Sequence, residues 1–297
     1  MSLIINHNMS AMNAARNLSQ SYSALSTSTR RLSSGLRIGT ASDDAAGLAV
    51  RELMRAEITS LNQGIRNAND AISLIQTADG ALQVIDEKLI RMKELAQQAA
   101  TGTYNSDQRL IIDSEYQAMA SEITRIASST DFNGVYLLNG AMSGENSDHS
   151  GSGLQSTGPL KVHFGTGNDS AEDYYYVSIG TSTASALGVG LGATTSSGKS
   201  ISTQQLAQES LDSLNNAIIS KDKIRANLGG LQNRLENTVS VLGIQAENTQ
   251  AAESQISDVD VATEMTNFVR NQILTQAAVS MLSQANSLPQ MALSLIG

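Results

Sequence analysis

Residues 193–200 read ATTSSGKS, so Gly198, Lys199 and Ser200 supply the closing positions of a phosphate-binding loop. Such a loop, GxxxxGK[ST], wraps phosphates in backbone N–H groups, lays the lysine on the outer phosphates and offers the hydroxyl to magnesium. It also needs a glycine at its opening position, a buried strand before it and a helix directly after. Here Ala193 stands at the glycine position, and the preceding SALGVGLG is too small and glycine-rich for a central strand. No later apolar run ending in Asp supplies a magnesium ligand. The helix that follows has its own start signal, Ser202 with Gln205 as a capping box. The stretch reads as a loop running into a helix start.

The other chemistry-bearing residues are equally unassembled. His7, His149 and His163 fall in a helix, a loop and a strand, and no HExxH or other metal spacing occurs. Asp43–Asp44 and Asp258–Asp260 sit at helix starts, where carboxylates complement the helix dipole. No GxSxG elbow is present. The sequons at Asn8, Asn17 and Asn168 carry meaning only in a eukaryotic secretory context, and two of them lie inside a helical seam. The reading is a non-enzyme with no catalytic residues, cofactor or metal.

Composition narrows the class further. The 297 residues include no Cys, no Trp, 2 Pro and 3 Phe, which suits thin helix-on-helix contacts better than a thick globular core. A net charge of −9 argues against nucleic acid, whose phosphates call for clustered Lys and Arg. Without cysteine there are neither disulfides nor thiolate metal sites. No apolar run reaches the ~18 residues a membrane span requires. MSLIINHNMSAMNAARNLSQ lacks the basic-then-apolar layout of a secretory signal, so export is expected to follow a route without a cleaved signal.

Two long helical regions flank an irregular middle. Ala11, Ala15, Leu18, Tyr22, Leu25, Thr29, Leu32 and Leu36 alternate steps of four and three, a heptad seam suited to close helix partnering. It breaks at SSGLRIGTASDDAAGL, where Ser42 is expected to cap the next helix. From about Asp44 to Ala99 no proline intervenes. One apolar stripe runs through Ile58, Leu61, Ile65, Ala68, Ile72 and Ile75, and another through Leu74, Ala78, Ala81, Ile85, Met92 and Leu95. At 1.5 Å per residue that helix would be roughly 80 Å long. After TGTYNSDQ the chain returns as an antiparallel helix. In the middle, LKVHFG and YYYVSIG are strand candidates among small-residue loops. The second helical region carries Ile224, Leu228, Leu231, Leu235, Thr238 and Leu242, then a fresh start with Ser257 to Asp260 as a capping box. A last seam follows through Leu274, Ala278, Met281, Ala285 and Leu288. A lone amphipathic segment does not repay its ordering entropy. The two ends are therefore expected to order against each other and against further copies of the chain.

NLSQSYSALSTSTRRLSSGLRIGTASDDAAGLAV resembles the N-terminal signature of bacterial flagellins. LIRMKELAQQAATGTYNSDQR, SEITRIASSTDFNGVYLLNG and ISDVDVATEMTNFVRNQILTQAAVSMLSQANSLPQMALSLIG are similar to later segments of that family, in the same order. The resemblance implies a mainly α fold: a long antiparallel helical rod bundle, terminal coiled-coil helices and a small β element in the middle. It implies three parts. Residues 1–42 with 258–297 would form the inner-tube coiled coil, 43–139 with 200–257 the rod, and 140–199 the β element and a short variable surface. It further implies a subunit that polymerises into the extracellular flagellar filament for motility, its termini ordering on assembly. The implied partners are other copies of the chain, an export chaperone, the filament cap and the hook-junction proteins, with export through the flagellar type III apparatus. Leu18, Tyr22, Leu25, Leu32, Leu274, Met281 and Leu288 are the expected assembly seam. By the same resemblance Arg91, Leu95 and Glu122 would contact Toll-like receptor 5. The runner-up is the hook–filament junction protein, which shares the terminal pattern. TDFNGVYLLNG and QANSLPQMALSLIG favour the filament subunit over it.

Overall fold

A computed structural model describes residues 8–142, 158–169, 172–190 and 198–296, with side chains described to Ser287 and at Met291. Among the described residues there are five helices: α1 (Met9–Ser34), α2 (Ala45–Ala100), α3 (Ser106–Ser129), α4 (Gln204–Ser257) and α5 (Val261–Ile296). Two antiparallel pairs of short strands accompany them, β1 (Asp131–Phe132) with β2 (Val135–Tyr136) and β3 (Leu160–His163) with β4 (Tyr174–Val177). The mainly α class and the pairing of LKVHFG with YYYVSIG agree with the sequence.

The helices start where local chemistry satisfies free N–H groups, though not always at the residues expected. Asn8 accepts the Ala11 N–H at 3.0 Å to open α1, and Gly35, at φ +73°, closes it. Asn105 and Gln108 form a reciprocal capping box on α3. At α2 the cap is Asp44, which accepts the Gly47 N–H at 3.0 Å; Ser42 pairs instead with the Thr40 hydroxyl. At α4 it is Thr203, which accepts the Leu206 N–H at 3.3 Å, one residue beyond the expected Ser202. At α5 Asp260 itself accepts the Ala262 and Thr263 N–H groups, so the Ser257–Asp260 box does not form. In all three places the capping residue is the one adjoining the first helical residue, because only there does the side chain reach the first-turn amides.

The chain divides into two compact units, residues 1–58 with 247–297 and residues 59–246. The second unit holds the main core. Leu74, Ala78, Leu82, Ile85, Leu89, Met92 and Leu95 of α2 are all buried and follow the helical period. They share one cluster with Ile112, Tyr116 and Ile123 of α3 and with Leu214, Leu228 and Leu235 of α4. The expected stripe is largely this one, and Leu61, Ala68 and Ile75 are buried as well.

The β1–β2 turn is Asn133–Gly134, with φ of +52° and +81°, and Asp131 accepts the Gly134 N–H at 3.1 Å. Two residues of positive φ make a turn whose twist matches that of the strands it joins. The β3–β4 pair lies against α2, where Gly64 leaves space for the Phe164 carbonyl and Asn67 donates to the His163 carbonyl at 2.8 Å. Tyr175 is sandwiched between the Phe164 ring, 4.6 Å away, and the Arg234 guanidinium, 3.6 Å away.

Candidate assembly surface

The closing part of the GKS stretch is a strap on α3. Tyr116 donates to the Gly198 carbonyl at 2.7 Å, Gln117 donates to the Lys199 carbonyl, and Asp113 accepts from the Ser200 hydroxyl and the Ile201 N–H. Burial raises the Tyr116 hydroxyl pKa, with the Asp113 charge adding to it, so the group stays a neutral donor. Residues 193–197 lie outside the described residues. The serine hydroxyl and the glycine carbonyl are thus taken up within the fold. His163 likewise stacks on Tyr174, with ring centroids 6.1 Å apart. His7 and His149 are outside the described residues. Among the described residues no group of three His, Cys, Asp or Glu side chains is placed to hold a metal.

The first unit offers a different kind of surface. α1 and α5 run antiparallel and form the only helix pair, among the described residues, with several Cα pairs inside 8 Å. Small residues permit that approach. The side turned toward the pair carries Ala11, Ala14, Leu18, Ser21, Leu25, Ser28 and Leu32 on α1. On α5 it carries Phe268, Asn271, Thr275, Ala278, Leu282 and Ala285. Both sets step by three and four.

Two backbone hydrogen bonds of an antiparallel bridge between Leu36 and Asp258 fasten the base of the pair. Gly35 accepts the Val259 N–H at 3.0 Å, and the Arg37 N–H donates to Ser257 at 2.7 Å. The Arg37 guanidinium donates twice to the Ile256 carbonyl. Nearby, Arg51 pairs with Glu253 at 3.3 Å and donates to the Ile38 carbonyl at 3.1 Å. Arg31 faces the buried Glu264 at 3.7 Å. At the far end Asn8 donates to the Ala285 carbonyl at 2.7 Å.

The expected seam residues divide between the two sides of these helices. Leu18, Leu25 and Leu32 are half-buried in the pair. Tyr22 is 65% exposed, Leu274 47% and Met281 64%. The Leu288 side chain lies outside the described residues. The heptad reading was therefore one residue off at alternate positions. It took Ala15, Tyr22 and Thr29 where the pair uses Ala14, Ser21 and Ser28, and Leu274 and Met281 where it uses Thr275 and Leu282. The physical reason is the thinness of the contact, which favours small side chains over large ones. Large apolar side chains also turn outward among the polar ones: Met9, Met12 and Tyr22 on α1, and Val261, Met265, Val269, Ile273, Leu274, Val279, Met281 and Met291 on α5. Leu274 and Met281 border a groove of about 510 Å³ together with Ser10, Asn13, Ala14 and Ala278.

In the second unit Arg91 bonds Glu115 at 2.8 Å and Glu94 at 2.9 Å, and is about half exposed. Glu122 pairs with Arg125 at 2.6 Å, and the hydrogen bond from that guanidinium lowers its carboxyl pKa. Leu95 is 1% exposed and belongs to the core. The three residues expected at a receptor contact thus comprise two surface ion-pair members and one buried leucine.

These features define a helical chain whose first and last helices pair through small residues and present large apolar ones to the outside. The bacterial flagellin N-terminal helical region matches residues 5–143, and the bacterial flagellin C-terminal helical region matches residues 211–296. The chain is 43% identical to the flagellar filament 33 kDa core protein of Treponema phagedenis over 294 residues, covering 99% of this chain and 100% of that one. It is 40% identical to a flagellin of Halalkalibacterium halodurans over 294 residues, with the same coverage. A solved chain of Vibrio parahaemolyticus, provisionally assigned as a flagellar hook-associated protein, is 14% identical, with a TM-score of 0.55 over 73% of this chain and 100% of that one. That likeness is one of fold. The chain belongs to the bacterial flagellin family.

Proposed function

We propose that this flagellin polymerises through the outward apolar faces of α1 and α5. As a flagellin it is a structural subunit of the bacterial flagellar filament and serves motility. The observation that supports the assembly route is the row of exposed large apolar side chains on the two terminal helices, with Tyr22 and Met281 about two-thirds exposed. On α5 they recur at steps of four from Val261 to Ile273, and exposed apolar surface of that kind marks an interaction site. The net charge of −9 disfavours nucleic acid as the occupant, and other copies of the same helices match the face in chemistry.

In this reading the subunit is not an enzyme. It leaves the cell through the flagellar type III apparatus, a chaperone shields the C-terminal helix beforehand, and the cap places each subunit at the filament tip next to the hook-junction proteins. Identity over the full length to filament core proteins supports a filament subunit rather than a junction protein.

Negative-stain electron microscopy after seeding or salting-out tests the assembly route. The parent chain is expected to form filaments. Met281→Asp, at a position 64% exposed on the flank of the α1–α5 pair, is expected to leave folded monomers with unchanged helicity. Ordinary filaments from Met281→Asp would refute this placement of the contact.

Recognition by Toll-like receptor 5 is part of the same proposal, with Arg91 and Glu122 at the surface and Leu95 supporting them from beneath. Arg91→Ala is expected to weaken receptor signalling by roughly tenfold, near 1.4 kcal/mol. A dose–response curve matching the parent's would remove Arg91 from that surface.

A further inference from the structure

Methionine is distributed unevenly over this molecule. Met9 and Met12 on α1 and Met265, Met281 and Met291 on α5 are all exposed, at 56%, 57%, 44%, 64% and 48%. Elsewhere among the described residues Met92 and Met142 are fully buried, and Met54 and Met119 are half-buried. Among the described residues the accessible thioethers are therefore confined to the two terminal helices. All five lie outside the α1–α5 contact, and Met281 flanks it, lining a groove with Leu274, Ala14 and Ala278.

A thioether is soft, flexible and apolar, well suited to filling an irregular contact. It is also the side chain most readily converted from apolar to polar by a peroxide. The sulfur attacks the distal peroxide oxygen, the O–O bond breaks and an S–O bond forms. Sulfur loses two electrons, and hydrogen peroxide leaves as water. The product is a polar, chiral sulfoxide that a reductase can reverse. Burying such an oxygen without a hydrogen-bond donor opposes association.

We infer that the exposed methionines of α1 and α5 form a redox-sensitive modification site. Peroxide-class oxidants reach it in the free subunit, polymerisation shields it, and its sulfoxide form blocks polymerisation. This rests on the proposal that copies associate through this face. Exposure in the monomer sets which sulfurs react, and Met92 and Met142 are spared.

The test uses the full-length chain and hydrogen peroxide. Monomers and preformed filaments are treated in parallel, and peptide mass spectrometry follows each methionine. The expected result is preferential sulfoxide formation at Met9, Met12, Met265 and Met281 in monomers. In filaments the same positions react several-fold more slowly. Oxidised monomers should show a critical concentration for polymerisation raised by roughly tenfold, as a single unsatisfied buried polar group would produce. Treatment with the two methionine sulfoxide reductases should restore it. Met281→Gln, a polar side chain of similar length, should show part of the defect without oxidant. Two failures are distinguishable. If untreated chain polymerises and fully oxidised chain does so equally well, the redox inference falls and the assembly face stands. If these methionines react at the same rate in filaments as in monomers, the assembly face itself falls, and the inference with it.

Discussion

Lys221 Nζ sits 2.6 Å from Asp86 and 2.7 Å from Asp222, with 2% of its side chain reaching solvent. One turn further along α4, Arg225 holds Asp79 at 2.7 Å. Two ion pairs therefore join α4 to α2 in one register. Asp86 keeps about a quarter of its surface in water, so it retains some hydration when its partner is lost. Lys221→Ala is expected to cost about 3 kcal/mol, the low end for breaking a buried pair. Lys221→Met, which removes the same charge but refills the space, is expected to cost about 1 kcal/mol less. Urea midpoints of the two full-length variants decide it. Equal losses would mean that the side chain's volume contributes nothing beyond its charge.

Asp43 is held at about 2, against an ordinary 3.8, first by the Thr40 hydroxyl and then by the Thr40 N–H, Arg30 and the Gly39 N–H. A carboxyl with a depressed folded value stabilises the fold above its unfolded pKa, and that contribution disappears as pH falls through the folded value. The window here is about pH 4 down to about 2. The NMR titration of the Asp43 carboxyl should have its midpoint near that lower value. Thr40→Val should move it upward toward the ordinary value. An unmoved midpoint would show that the hydroxyl is not what holds the charge.

Gly64 and Gly80 both lie in the interior of α2, yet they answer to different demands. A Cβ at Gly64 would overlap the Phe164 carbonyl, whereas nothing lies within 4 Å of one at Gly80. Gly64→Ala is expected to destabilise by about 1–3 kcal/mol through overpacking against β3–β4. Gly80→Ala is expected to stabilise by up to about 1 kcal/mol through helix propensity. Thermal unfolding of the pair should give shifts of opposite sign, and shifts of the same sign would show that the strand pair yields without cost.

The helices were legible in the sequence because their periodicity extends over many turns, as with Leu74, Ala78, Ile85 and Met92. The face of α1 used for pairing was less legible. Stripes through Ala14, Ser21 and Ser28 or through Ala15, Tyr22 and Thr29 both step by three and four, and hydrophobicity favours the second. A close backbone approach selects the first, and that distance is a tertiary property. Tyr22, Leu274 and Met281 were thus found as apolar positions, but they lie outside the α1–α5 contact. The Asn133–Gly134 hairpin had a local signal in DFNGVY, since Asn-Gly between β-formers marks a two-residue turn. Strands of two residues are too short for alternation to register, so only the turn dipeptide could have pointed to it. Leu95 carried an apolar-stripe signal that led to its buried position, whereas the ion pairs of Arg91 with Glu115 and of Glu122 with Arg125 needed the folded helices to be seen.

Asn8 donates to the carbonyl of Ala285, a residue 277 positions later in the chain. At ribosomal speeds of about 5–20 residues per second, roughly 15–55 s separate the synthesis of these two partners. Throughout that interval α1 is a nascent helix with nothing to zip onto. A helix made this long before its partner is consequently among the last to find its place.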